Sequence, residues 1–107
     1  MRIKSNKLKK IEKNRFSILT EDLETCYNCK SKATDINEIY EGAKRITSIK
    51  FGCCIPLCRN CHKLFHYYPT QFASQFEKEC QRKFEELYSY EEFMKNFHYD
   101  YLWKERT

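Results

Sequence analysis

Cysteine and histidine at metal-ligand spacing occupy the middle of the chain. Residues 26–29 read C-Y-N-C, 28 residues intervene, and 58–62 read C-R-N-C-H, with a further histidine at 66. A C-x-x-C pair makes a tight knuckle that turns both sulfurs inward, and two knuckles supply the four thiolates of a closed tetrahedral zinc site. A redox dithiol also uses C-x-x-C, but singly and after the strand of a thioredoxin-like unit. Cys26, Cys29, Cys58 and Cys61 are therefore read as ligands of one structural Zn²⁺. This ion holds the fold, so any chemistry lies in what it draws together.

A second set of groups follows from that closure. Once the knuckles meet, a strand through Ile36 and Ile39 must face the segment carrying His62 and His66, which stand one helical turn apart on one face. Asn37 and Glu38 on the strand and the two histidines on the helix offer oxygen and imidazole ligands. Such donors suit a second divalent ion, Mg²⁺, Mn²⁺, Ni²⁺ or Zn²⁺, with a position left for a phosphate oxygen. Glu38 is the candidate base for water, although a solvated glutamate titrates near ~4 and is weak at neutral pH. Arg45 and Lys50, with Arg59 and Lys63 flanking the second knuckle, are candidate phosphate contacts, which position nucleic acid without reading its sequence. Each residue also has a plain structural reading. Asn37 caps a turn, Glu38 pairs with Lys44 or Arg45, and the four basic residues serve solubility. His62 donates to a backbone carbonyl or replaces Cys61 as ligand, and His66 packs beside Tyr67 and Tyr68.

The elements that position these groups are few. The 107 residues suffice for one domain, rich in aromatics (8 Phe, 8 Tyr, 1 Trp), whose modest core gains from a metal staple. Seven cysteines oppose a secreted disulfide framework by their odd count and zinc spacing, and the N-terminus lacks the apolar core of a signal peptide. No run reaches the length of a membrane span. The expectation is a reduced, cytoplasmic protein in which Cys53, Cys54 and Cys80 are packing residues.

Charge separates the N-terminus from the rest. Seven Lys/Arg against Glu12 give residues 1–16 a net +6, more than the +5 of the whole chain. A basic arm over 1–20 ahead of a zinc domain over 21–107 suits phosphate backbones, or is simply a solvated terminus. Residues 43–48 read as a basic loop and 49–57 as a second strand bent at Gly52 and closed by Pro56. Thr70 is a plausible N-cap, after which Phe72, Phe76, Cys80, Phe84 and Leu87 predict one amphipathic helix. Ser89 with Glu92 is a capping-box signature for another helix, over about 90–97.

Together these stretches resemble zinc-stapled HNH (ββα-metal) nuclease domains of the small kind found in phage and prophage genomes. That family runs C-x-x-C, a histidine-led pair on the first strand, a G-x-x-R-x-x-S-x-x-x-G loop, and L-C-x-x-C/H-H before a last histidine. This chain has C-Y-N-C at 26–29, I-N-E-I at 36–39, Gly42, Arg45, Ser48 and Gly52 at the loop spacing, L-C-R-N-C-H at 57–62, and His66. The aromatic tail at 81–97 is also similar, and the likeness runs from 26 to about 102. The chain departs from the family at the strand pair, where Asn37 stands in place of histidine and Glu38 follows. Asparagine can ligate through its amide oxygen but has no basicity.

The resemblance implies an α+β fold, a treble-clef-like ββα-metal core with two C-terminal helices. It implies cleavage of DNA phosphodiesters, weakened by the altered pair, with Glu38, His62 and His66 catalytic and Asn37, His62 and His66 on the second metal. Two rivals predict different behaviour. A non-catalytic nucleic-acid-binding module binds DNA without cutting it. A phage-type adaptor docks a protein partner through Tyr88, Tyr90, Tyr99, Tyr101 and Trp103 and touches no nucleic acid.

Overall fold

The computed structural model describes residues 15–106, so the expected basic arm lies outside the described residues up to position 14. In chain order the elements are β1 (Asp35–Glu38), a 3₁₀ turn (Gly42–Lys44), α1 (Arg45–Phe51), β2 (Cys54–Leu57) and α2 (Arg59–Tyr67). A π turn (Pro69–Ala73), α3 (Ser74–Leu87), α4 (Tyr90–Phe97) and a 3₁₀ turn (Trp103–Glu105) follow. Among the described residues this is an α+β arrangement of four α-helices and one two-stranded antiparallel sheet. No helix among the described residues is long and apolar enough to cross a membrane.

The sheet pairs Asp35 with Leu57, Ile36 with Pro56, Asn37 with Ile55 and Glu38 with Cys54. Proline, which has no N–H, sits where none is needed. The Pro56 carbonyl turns outward to accept from Tyr27 N (2.8 Å), and the Ile36 carbonyl turns outward to accept from Arg15 Nη1 (3.1 Å). The first knuckle is thereby tied to β2 by backbone as well as by sulfur.

The chain between the strands differs from the sequence reading. Residues 43–48 are not a loop and 49–51 are not strand; α1 runs from Arg45 to Phe51, and only Cys54–Leu57 are extended. Lys44 and Arg45 among short polar residues suggested a loop, and Ile49 suggested the start of a strand because β-branched residues favour it. Tertiary bonds override that preference. The buried Ser48 hydroxyl accepts from Tyr40 N (3.2 Å) and donates to Tyr40 O (2.7 Å), stapling α1 to the end of β1. Gly52 is the left-handed C-cap of this helix (φ 73°) rather than a strand bend. A Cβ at Gly52 would meet the Phe16 ring, which lies against the cap.

Below the sheet, Phe76, Cys80 and Phe84 form the buried stripe of α3, and Phe93 and Phe97 that of α4. Tyr40 packs against Phe93, Phe97 and Tyr101 at 4.7–5.5 Å between ring centroids, and its hydroxyl donates to Glu77 O (2.7 Å). Cys53, Cys54 and Cys80 are buried among these groups as packing residues. Ser89 caps α4, its hydroxyl accepting from Glu92 N at 3.0 Å. Two details of the predicted α3 differ. Thr70 is not its cap but part of the π turn that precedes it, and Leu87 is exposed. Tyr88 makes the contact expected for Leu87, tilted against Phe84 (4.7 Å) and edge-on to Phe51 (5.7 Å) as the helix ends.

This packing fixes the expected cost of truncation. Phe84→Ala, at a fully buried ring in contact with four aromatic neighbours, lowers unfolding free energy by about 3–5 kcal/mol in denaturant titration. Leu87→Ala changes it by no more than about 0.5 kcal/mol. Equal losses at the two positions would contradict the packing described here.

Candidate metal centre and adjoining cleft

The sulfurs of Cys26, Cys29, Cys58 and Cys61 all lie within 4.8 Å of one another, a quartet able to hold a metal ion. The Cys29 and Cys58 sulfurs are 3.6 Å apart. Tetrahedral thiolates about 2.3 Å from a zinc ion would stand about 3.8 Å from each other, a spacing near that of the Cys29 and Cys58 sulfurs. Local backbone makes the knuckles. Lys30 takes a left-handed conformation (φ 69°) and donates its N–H to Cys26 O (3.0 Å), while Cys26 N donates to Ser31 O (2.6 Å). Cys58 is the N-cap of α2, its sulfur accepting from Cys61 N (3.5 Å), and Asn28 Nδ2 donates to Cys61 Sγ (3.4 Å). The Cys61 N–H and the Ser31 hydroxyl hold the Cys58 thiol down to about 6, whereas burial pushes Cys61 up to about 12.

Because Cys58 caps α2, the second knuckle and the histidine helix are one rigid piece. His62 and His66 follow on consecutive turns and face β1 across a cleft of about 410 Å³. Asn37, Glu38 and Arg45, each singled out from sequence, line the same cleft, together with Arg15, Asp35, Ile36 and Glu41. The two imidazoles converge, with Nε2 atoms 2.8 Å apart. Each presents its other ring nitrogen to a carboxylate. His62 Nδ1 lies 3.1 Å from Asp35 Oδ2 and His66 Nδ1 3.5 Å from Glu41 Oε2. His62 is thus engaged by a carboxylate rather than a backbone carbonyl, and Cys61 keeps its place in the quartet.

The carboxylates differ in setting. The hydrogen bond with His62 holds Asp35 below the usual carboxylate range. Burial raises Glu41, with His66 acting in the opposite direction. Glu38 is buried on β1, and its Oε1 accepts from Arg15 Nη2 (3.1 Å) and from Arg45 Nε. The plain structural pairing of Glu38 with Arg45 is therefore present. Asn37 is 4% exposed, and its Nδ2 is a buried donor with no hydrogen-bond partner among the described residues, an arrangement that ordinarily calls for a ligand or water.

Asp35 and Glu41 escaped the sequence reading. Strand alternation held the one available signal, since Asp35 stands two residues before Asn37 and so on its face. Glu41 had none, being one acidic residue beside a glycine. Of the basic candidates, Arg59 and Lys63 lie beside His62 and His66 in a second depression that includes Tyr67. Lys50 does not join them; it sits in the last turn of α1 with its ammonium 5.7 Å from the Phe51 ring centroid.

A four-sulfur site that staples a small core makes its loss easy to read. Cys29→Ser and Cys58→Ser should each lower bound metal, measured by elemental analysis, well below about one ion per chain and lower the melting temperature. Full metal content in both variants would show that the quartet is not the holder. No protein-family model, curated protein or solved structure matches this chain.

Proposed function

We propose that the chain is a metal-dependent nuclease of HNH type, with a treble-clef-like core stapled by Zn²⁺ on Cys26, Cys29, Cys58 and Cys61. The observation that carries this reading is the paired imidazoles, whose Nε2 atoms converge while carboxylates back their Nδ1 atoms. Metal-bound histidine characteristically donates its second ring N–H to a carboxylate, which fixes its tautomer and aim. The donor set therefore fits a divalent ion held by His62 and His66, with Asn37 as a further ligand through its amide oxygen. When bound, that ion would polarise the phosphodiester and stabilise the leaving oxygen.

The remaining steps belong to the chain's own side chains. Asp35 and Glu41 accept hydrogen bonds from the Nδ1–H groups and so keep both Nε2 lone pairs aimed into the cleft. Glu38 accepts a proton from the attacking water. Arg15 and Arg45 hold that carboxylate in place and add positive charge where a phosphate must sit. Arg59 and Lys63 extend the positive surface beyond the histidines and position the backbone of the DNA.

A second reading is a nucleic-acid-binding module without cleavage. It is favoured by the two guanidiniums on Glu38, which make that carboxylate an anchor for the N-terminal segment and α1. Supercoiled plasmid incubated with Mg²⁺, Mn²⁺, Ni²⁺ or Zn²⁺ separates the two. The nuclease reading predicts metal-dependent nicking that Glu38→Gln and His62→Ala abolish with the fold intact by circular dichroism. Asp35→Asn and Glu41→Gln should raise the metal concentration for half-maximal nicking about 10–100-fold. A shifted plasmid band with no nicking under any ion would leave the binding module standing.

A further inference from the structure

Another cleft, of about 630 Å³, is lined by Lys44 at the end of the Gly42–Lys44 turn. Its lining joins Lys44 to Tyr99, Tyr101 and Trp103 of the C-terminal tail and to Glu77 and Lys78 of α3. Tyr99 and Trp103 are each about half exposed, whereas Tyr101 is the floor, packed beneath against Tyr40 at 4.9 Å and Phe93 at 6.2 Å. Tyr99 stands edge-on to Tyr101 (4.8 Å, 62°). The Lys44 ammonium lies 5.9 Å and 5.6 Å from these two ring centroids and donates to Tyr101 Oη (3.4 Å). Exposed ring faces and ammonium groups in one cleft are complementary to a base and its phosphate, which is the combination that single-strand binders use.

The walls are built in advance. Gln81, fully buried, accepts from Tyr101 N through Oε1 (2.8 Å) and donates through Nε2 to Glu85 Oε2 (2.8 Å) and Asp100 Oδ1 (2.9 Å). Arg106 closes the tail on Asp100 and Glu85 at 2.9 and 2.5 Å. Rings held this way lose little freedom when a base arrives. The turn that carries Lys44 is also flanked by Glu41 and Arg45, both in the histidine cleft. Lys44 in one cleft is thus the chain neighbour of Arg45 in the other.

We infer that the tail cleft is a stacking subsite for an unpaired base, and hence that the substrate is single-stranded or locally unpaired nucleic acid. This deepens the nuclease reading and rests on it for the word substrate, while the binding itself does not require cleavage. Half-buried Glu77, raised by its burial, offers a hydrogen-bond partner to a base edge within the same cleft.

Trp103 is the sole tryptophan, so its emission reports on the cleft directly. The full-length, metal-replete protein is titrated with (dT)12 and with a 12-base-pair duplex, without added divalent ion. Saturable quenching of Trp103 by (dT)12 and much weaker quenching by the duplex is expected. Tyr99→Ala should weaken (dT)12 binding about tenfold, and Tyr99→Phe should restore it. Lys44→Ala, which leaves the Gln81 bonds to Tyr101 N, Glu85 and Asp100 in place, provides a second variant and should weaken binding and make its salt dependence shallower. Equal affinity for the duplex, emission that stays unchanged while anisotropy reports binding, or unaltered affinity in Tyr99→Ala would each overturn the subsite. Absence of any nucleic-acid binding would overturn it too and leave the exposed rings to a protein partner. Nicking of plasmid without quenching defeats this inference alone, and quenching without nicking defeats the catalytic reading alone.

Discussion

Four sulfurs drawn within 4.8 Å of one another are unfavourable as crowded thiolates and favourable around a divalent cation. Everything that positions the cleft depends on this contact. Cys26 and Cys29 belong to a loop that hands its Tyr27 N–H to β2, and Cys58 and Cys61 open α2. Closing the quartet therefore fixes the first knuckle, the sheet and the histidine helix in one step. The helix is only nine residues long, too short to be stable alone. Its N-terminus, however, is pinned by a sulfur that caps it, and its far side is anchored by Phe65 in the core.

The two sides of the cleft are then held by different forces. On the helix side, the histidines ride on a short rigid segment whose register is set by Cys58 and Cys61. On the strand side, order comes from buried polar bonds. Ser48 clamps α1 to Tyr40, and Glu38 gathers Arg15 and Arg45 from two separate segments. Removing one partner from such a cluster leaves buried charge or donors unsatisfied, which is a larger loss than the bonds themselves contribute. The clamp thus makes the strand face specific in shape as well as in charge.

These two kinds of order differ in how plainly the sequence carries them. The quartet and the His62/His66 pair were legible because ligand spacing and helical repeat are local properties, written within nine residues at the second knuckle. The buried stripe of α3 and the Ser89 cap were legible for the same reason. Helix α1 was not, because 43–48 reads locally as a basic loop and Ile49 as the start of a strand, and both yield to Ser48 and Gly52 acting through tertiary contacts. Asp35 and Glu41 were hidden similarly. Nothing near either residue announces a histidine 27 or 25 positions away; only the closed knuckles create those pairs. The Tyr99–Trp103 cleft depends on Gln81, a glutamine whose burial no pattern foretold.

Strand β1 sharpens the point. Its burial runs from exposed Asp35 and half-buried Ile36 to buried Asn37 and Glu38, so its apolar residue is less buried than two polar ones. A strand chosen for stability alone would do the reverse, since burying an amide or a carboxylate is unfavourable unless every bond is made. Glu38 meets that condition with two guanidiniums, but Asn37, beside the histidines, leaves a donor unpartnered among the described residues. Departures from the folding pattern of this kind concentrate where a chain must act as well as fold. The inversion falls on two residues that line the cleft of the paired imidazoles. A ligand that completes the hydrogen bonding of Asn37 would account for it, and the cleft between β1 and α2 is where such a ligand must lie.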